Sequence, residues 1–118
     1  MILALALAAL TPIGQPAMPA TMRGVWDLPG HCKLPSDDSD SRAIVRDAEA
    51  VFSETVFTPK RILIPDTLNW AAMGEFSEEG EVSKGRLNFR LSHDGKTLAY
   101  TTPDNRVVRL VRCGRRPK

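Results

Sequence analysis

Between Arg86 and Leu91 the side chains alternate strictly, with Leu87, Phe89 and Leu91 on one parity and Arg86, Asn88 and Arg90 on the other. That is the period of a β-strand with one buried face. A similar run follows at once. A two-residue turn at Asp94-Gly95 sets His93 opposite Lys96, Leu91 opposite Leu98 and Phe89 opposite Tyr100, which collects the apolar side chains of both strands on one face. A slip of one residue turns Leu98 and Tyr100 outward, so burial selects this register.

The rest of the chain is cut into short pieces by Pro29-Gly30, Pro35, Pro59, Pro65, Gly80, Gly85 and Pro103-Asp104-Asn105. This spacing predicts strands rather than long helices. The strands fall at Arg23 to Trp26, Ala43 to Arg46, Val51 to Thr58, Arg61 to Ile64, Leu68 to Phe76, and Arg106 to Cys113, the last rich in β-branched residues. Residues 42–56 carry a competing pattern, because Ile44, Val45, Ala48, Val51, Phe52 and Thr55 also line one face of a helix capped by Ser39 or Asp40. A turn at Asp47-Ala48-Glu49 and the following Pro59 favour a hairpin. The expected fold is all-β, a small antiparallel barrel or strongly bent sheet of about seven or eight short strands.

The N-terminus changes the picture. Residues 1–10 contain no polar side chain, and Thr11, Pro12, Gly14 and Pro16 then interrupt the run. A spanning helix needs roughly 20 apolar residues, so this length fits a cleaved signal peptide instead. The expected boundaries are a leader at 1–20, a β domain at 21–114 and a basic tail at 115–118. The implied location is periplasmic or secreted. In an oxidising compartment Cys32 and Cys113, the only two cysteines, are expected to pair. Closing a loop of about 80 residues is worth on the order of 4 kcal/mol on the chain-entropy view.

Composition adds little chemistry. A net charge of +2 is spread unevenly: Asp37, Asp38 and Asp40 follow Cys32, while Arg106, Arg109, Arg112, Arg115, Arg116 and Lys118 close the chain. The acidic loop lacks the central glycine and distal glutamate of a calcium loop, so no metal is expected. The basic end has no interleaved aromatics, so nucleic acid is not expected as a partner. An anionic membrane surface is one that the tail could touch. His31 and His93 stand in no nucleophile, zinc or phosphate-loop motif, and Glu75, Glu78, Glu79 and Glu81 surround a wet Gly80 turn, so no catalytic residue and no cofactor is expected.

Gly24-Val25-Trp26 at the start of the first strand, with an arginine-rich final strand, resembles the Gly-x-Trp opening of lipocalin-like (calycin-type) barrels, including the small secreted inhibitors of bacterial metalloproteases. The resemblance implies that Trp26 closes one end of a barrel. It also implies that a basic residue of a late strand, Arg109 or Arg112, packs over the indole. Parity points to Arg109. If Cys113 turns into the fold towards Cys32, then Val107, Arg109 and Val111 turn with it; a bulge near Val107 or Val108 reverses the choice in favour of Arg112. The function expected from all this is an exported, non-catalytic binding or inhibitor-like module with an exported protein as partner. The alternative is an envelope-associated protein that uses its basic tail on anionic surfaces.

Overall fold

The structure, a computed structural model, describes residues 16–114. Most of the expected leader, and the tail 115–118, lie outside those residues. Eight antiparallel strands form a closed barrel in simple sequential order. They are β1 (Gly24–Asp27), β2 (Ala43–Val45), β3 (Ala50–Phe52), β4 (Thr55–Pro65), β5 (Asn69–Glu78), β6 (Glu81–Leu91), β7 (Thr97–Thr101) and β8 (Val107–Gly114). β8 returns to pair with β1, so every strand has two neighbours and the barrel closes.

Inward positions follow the pleat. Trp70, Ala72, Leu87, Phe89, Leu91, Leu98 and Leu110 interdigitate with Trp26, Val45, Ala50 and Phe57 to fill the barrel. The long β5–β6 hairpin runs in register from Asn69↔Arg90 to Glu78↔Glu81. It turns at Glu79 and Gly80, both at positive φ (51° and 84°), as the favoured two-residue turn requires. Midway, Gly74 faces Gly85, and the aromatic rings of Phe57 and Phe76 lie over them. A methyl group on Gly74 would meet the Thr58 carbonyl oxygen at 2.3 Å and the Phe57 ring at 2.7 Å. Glycine is needed there for room.

Several expectations hold and several move. Leu91 pairs with Leu98 and Phe89 with Tyr100. The turn between them is longer than two residues: the Gly95 amide donates to the Ser92 carbonyl and the Ser92 amide to the Thr97 carbonyl, both at 2.9 Å. His93 and Asp94 are thus the turn's central residues, and Gly95, at φ 74°, follows it. Residues 42–56 form the β2–β3 hairpin and the start of β4, not a helix. The expected strand Val51 to Thr58 breaks at Ser53-Glu54, where Ser53 takes a positive φ of 54°. Conversely, Pro59 does not end a strand. β4 continues through it because the pairing with β3 stops at Phe57 and bulges follow between Pro59 and Arg61 and between Ile62 and Ile64, where a missing N–H is tolerated.

Candidate functional site

Trp26 is fully buried, and its indole Nε1 donates to the Met22 carbonyl at 2.9 Å. The guanidinium carbon of Arg112 sits 4.2 Å from the ring centroid. The same side chain donates from Nε to the Gly95 carbonyl (3.0 Å), from Nη1 to Arg23 (2.9 Å) and from Nη2 to Thr21 (2.8 Å). One cation therefore ties β8 to the β6–β7 turn and to the segment before β1. That segment is a lid. Met18 and Met22 are buried in the core, the Met18 amide donates to the Asp47 carbonyl at 2.8 Å, and the Thr21 hydroxyl donates to the Thr67 carbonyl at 3.1 Å. Met18 falls before the boundary expected at Ala20, yet it packs as part of the fold.

Arg109 is not the residue over Trp26. It is exposed on the outer wall, whereas Leu110 is buried and Arg112 half-buried. The parity was read correctly but assigned to the wrong face. Cys113 turns outward, because the loop after β1 returns along the outside of the barrel and brings Cys32 to it there, joined at a Cα–Cα distance of 5.3 Å. A register shift between Val25 and Trp26, where Val25 faces Gly114 and Trp26 faces Arg112, leaves Cys113 as the extra residue.

The returning loop, residues 28–42, is organised by Asp27, fully buried beneath it. Its carboxylate accepts from the Leu28 amide (2.8 Å), the Ser39 hydroxyl (2.6 Å), the Ser41 hydroxyl and Arg42 Nε (3.0 Å). Arg42 also donates from Nη2 to the carbonyls of His31 (2.8 Å) and Leu34 (2.9 Å). Burial pushes the Asp27 carboxyl up, but the hydrogen bonds of Ser39, Ser41, Leu28 and Arg42 outweigh it and hold the group below its ordinary value. His31 Nδ1 lies 3.3 Å from the Ser41 oxygen. Serine, histidine and aspartate thus meet, but in the wrong order for a nucleophile. A triad places the base between serine and acid, while here the Ser41 hydroxyl donates its hydrogen bond to the carboxylate, and His31 Nδ1 lies 3.9 Å from the same Asp27 oxygen. The sequence reading gave Asp27 no such role. The signal it missed is the set of short donors, Ser39, Ser41 and Arg42, a loop's length after a buried-strand acid.

At the other end of the barrel, Phe52 and Tyr100 (4.7 Å between centroids) and Phe76 rim a cleft of about 300 Å³ with Thr55, Glu78 and Pro103. Burial pushes the Tyr100 phenol above its ordinary value, partly countered by Arg106, so it stays a neutral hydroxyl at physiological pH. Asp94 and Gly95 belong instead to the lidded end, where they line a shallow depression with Arg23, Lys96 and Arg112. Among the described residues no group of three or more metal-ligating side chains gathers, and no helix is long and apolar enough to cross a membrane.

Compared with known proteins, the chain matches no family model, no curated protein and no solved structure. What it shares with the lipocalin-like pattern is a small closed antiparallel barrel, and no match supports a lipocalin or inhibitor identity.

Proposed function

We propose that this protein is an exported, non-catalytic binding module that engages a protein partner through its outer surface. The observation that supports this reading is the filled barrel. With Trp26, Phe57, Phe89, Leu87, Leu98 and Leu110 all fully buried in its interior, recognition falls to the exterior and the rims. Its loop 28–42 is held by a disulfide outside and the Asp27 cluster beneath, and a surface fixed before binding loses little entropy on binding. The disulfide suits an exported chain.

The test is capture on the immobilised oxidised protein from the exported fraction of its source, followed by titration with the purified partner. A saturable complex at fixed stoichiometry is the expected result. Binding to anionic vesicles that disappears when residues 115–118 are removed favours the envelope-associated alternative, and turnover of any substrate overturns the non-catalytic reading.

A further inference from the structure

The outer wall of β5–β8 carries a cross-strand row that no strand displays by itself: Asn69 pairs with Arg90, Arg90 with Ala99, and Ala99 with Arg109. Two arginines therefore flank an alanine, with their Cα atoms about 10 Å apart across two strand spacings. Two depressions of about 370 Å³ each share Asn69, Arg90, Ala99 and Arg109, which makes them parts of one trough. Its floor is low at Ala99, the small residue between the two arginines. The rim is apolar: Val107 (53% exposed) and Ile64 (36%) stand beside it.

Its charge is unanswered. Arg42, Arg46 and Arg106 each have a carboxylate partner, whereas among the described residues Arg90 and Arg109 have none within ion-pair distance, and no Asp or Glu lines the trough. Arg86, the third arginine of the wall, is engaged by the Asn88 side chain at 2.9 Å.

We infer that this trough recognises an acidic peptide segment of a protein partner. Arg90 and Arg109 take Asp or Glu carboxylates, and Ile64 and Val107 cover a neighbouring aliphatic side chain. The inference rests on the binding-module reading and names the chemistry of its partner. Guanidinium forks match carboxylates in a two-pronged geometry, and exposed aliphatic groups beside them give such a peptide its apolar contact. A free phosphate would leave Ile64 and Val107 unused. A flat lipid surface would not reach Ala99 at the bottom of the trough.

The experiment is a selection of displayed random hexapeptides on the oxidised wild-type protein and on R90Q/R109Q. Both arginines are exposed, so the double variant should keep the wild-type melting temperature. The wild type is expected to enrich peptides with Asp or Glu next to an aliphatic residue. The best synthetic peptide should lose about tenfold in affinity or more on R90Q/R109Q, and equally when its acids become amides. Selection without acidic enrichment, no selection at all, or equal affinity for both proteins overturns the inference. So does inorganic phosphate that binds as tightly as the peptide, or binding to phosphatidylglycerol vesicles that needs both arginines and is not displaced by peptide. A stoichiometric partner complex that survives R90Q/R109Q overturns the trough alone and leaves the binding module standing. Failure to form any complex removes both.

Discussion

The two ends of the barrel are closed by opposite means. At the lidded end, chain from outside the barrel crosses the opening: Met18 and Met22 supply apolar cover, and Arg112 fastens the backbone of Thr21 and Arg23 over Trp26. At the other end, among the described residues, nothing crosses. Phe52, Phe76 and Tyr100 cover the core by leaning over it and stay half-buried; Phe76 rests on the bare backbone of Gly85, as its buried neighbour Phe57 does on that of Gly74. A small barrel cannot bury both mouths with strand residues alone. The lidded end should therefore be sensitive to groups taken away, and the open end to groups added.

The largest effect should come from Arg112→Ala, which, among the described residues, removes three carbonyl hydrogen bonds and the contact with Trp26. The expected loss is on the order of 3 to 5 kcal/mol by urea denaturation of the oxidised protein. Arg112→Lys keeps the charge but not the fork and should recover about half of it. A loss under about 1 kcal/mol for the alanine variant would mean that the lid holds without its fastener. Deletion logic extends to Asp27. Asp27→Asn leaves Arg42 facing no anion beneath the loop and should cost about 3 kcal/mol at neutral pH. Because the folded-state pKa of Asp27 is depressed, its contribution is complete above the unfolded carboxylate value of about 4 and is lost as pH falls through the folded value. The wild type should thus lose stability faster than Asp27→Asn on the acid side of pH 4; parallel acid limbs would deny Asp27 this role.

The open half of the barrel should respond to addition. Gly74→Ala forces a methyl group against the Thr58 carbonyl and the Phe57 ring, and about 2 kcal/mol is expected from overpacking. Gly85→Ala meets only the edge of Phe76, at 3.0 Å, and should cost less. Thermal melts of the pair would show whether backbone contact, rather than the loss of a glycine as such, sets the penalty.

The same contrast marks what was legible in the sequence. Strand periodicity was readable wherever one face is wet and the other buried, hence the register of β6 against β7 and the face shared by Val107, Arg109, Val111 and Cys113. Which face points inward was not readable in β8, because alternation there sets cations and valines against leucine and arginine, and the side taken by the cystine depends on a loop that runs outside. Met18 and Met22 were hidden for a related reason: a lid is an irregular segment, without period, and it follows an apolar run that reads as a leader. Ser53-Glu54 carries no Gly, Pro, Asn or Asp, and Ser53 alone is a weak turn signal, so the β3–β4 corner was not legible. The Arg90–Ala99–Arg109 row was half-visible, since the Leu91–Leu98 pairing already places Arg90 opposite Ala99; only closure onto β8 adds Arg109.

The smallest effects should come from two sibling turns, one at each end. At the lidded end, Ser92-His93-Asp94-Gly95 closes with the Gly95 amide on the Ser92 carbonyl. At the open end, Thr102-Pro103-Asp104-Asn105 closes with the Asn105 amide on the Thr102 carbonyl, both at 2.9 Å. In each, the aspartate accepts from the hydroxyl two residues back, Ser92 to Asp94 at 2.6 Å and Thr102 to Asp104. The fourth residue has positive φ, 74° for Gly95 and 70° for Asn105. Glycine adopts this conformation freely, asparagine tolerates it and β-branched residues do not. Nothing lies within 4 Å of a Cβ built on Gly95, so Gly95→Val tests backbone strain without a clash and should cost about 1 to 2 kcal/mol. Asn105→Gly removes a mild strain but loosens the unfolded chain, and the two should nearly cancel, within about 0.5 kcal/mol. If Gly95→Val were as mild as Asn105→Gly, the lidded-end turn would have some other conformation, and the Gly95 carbonyl would no longer be placed where Arg112 reaches it.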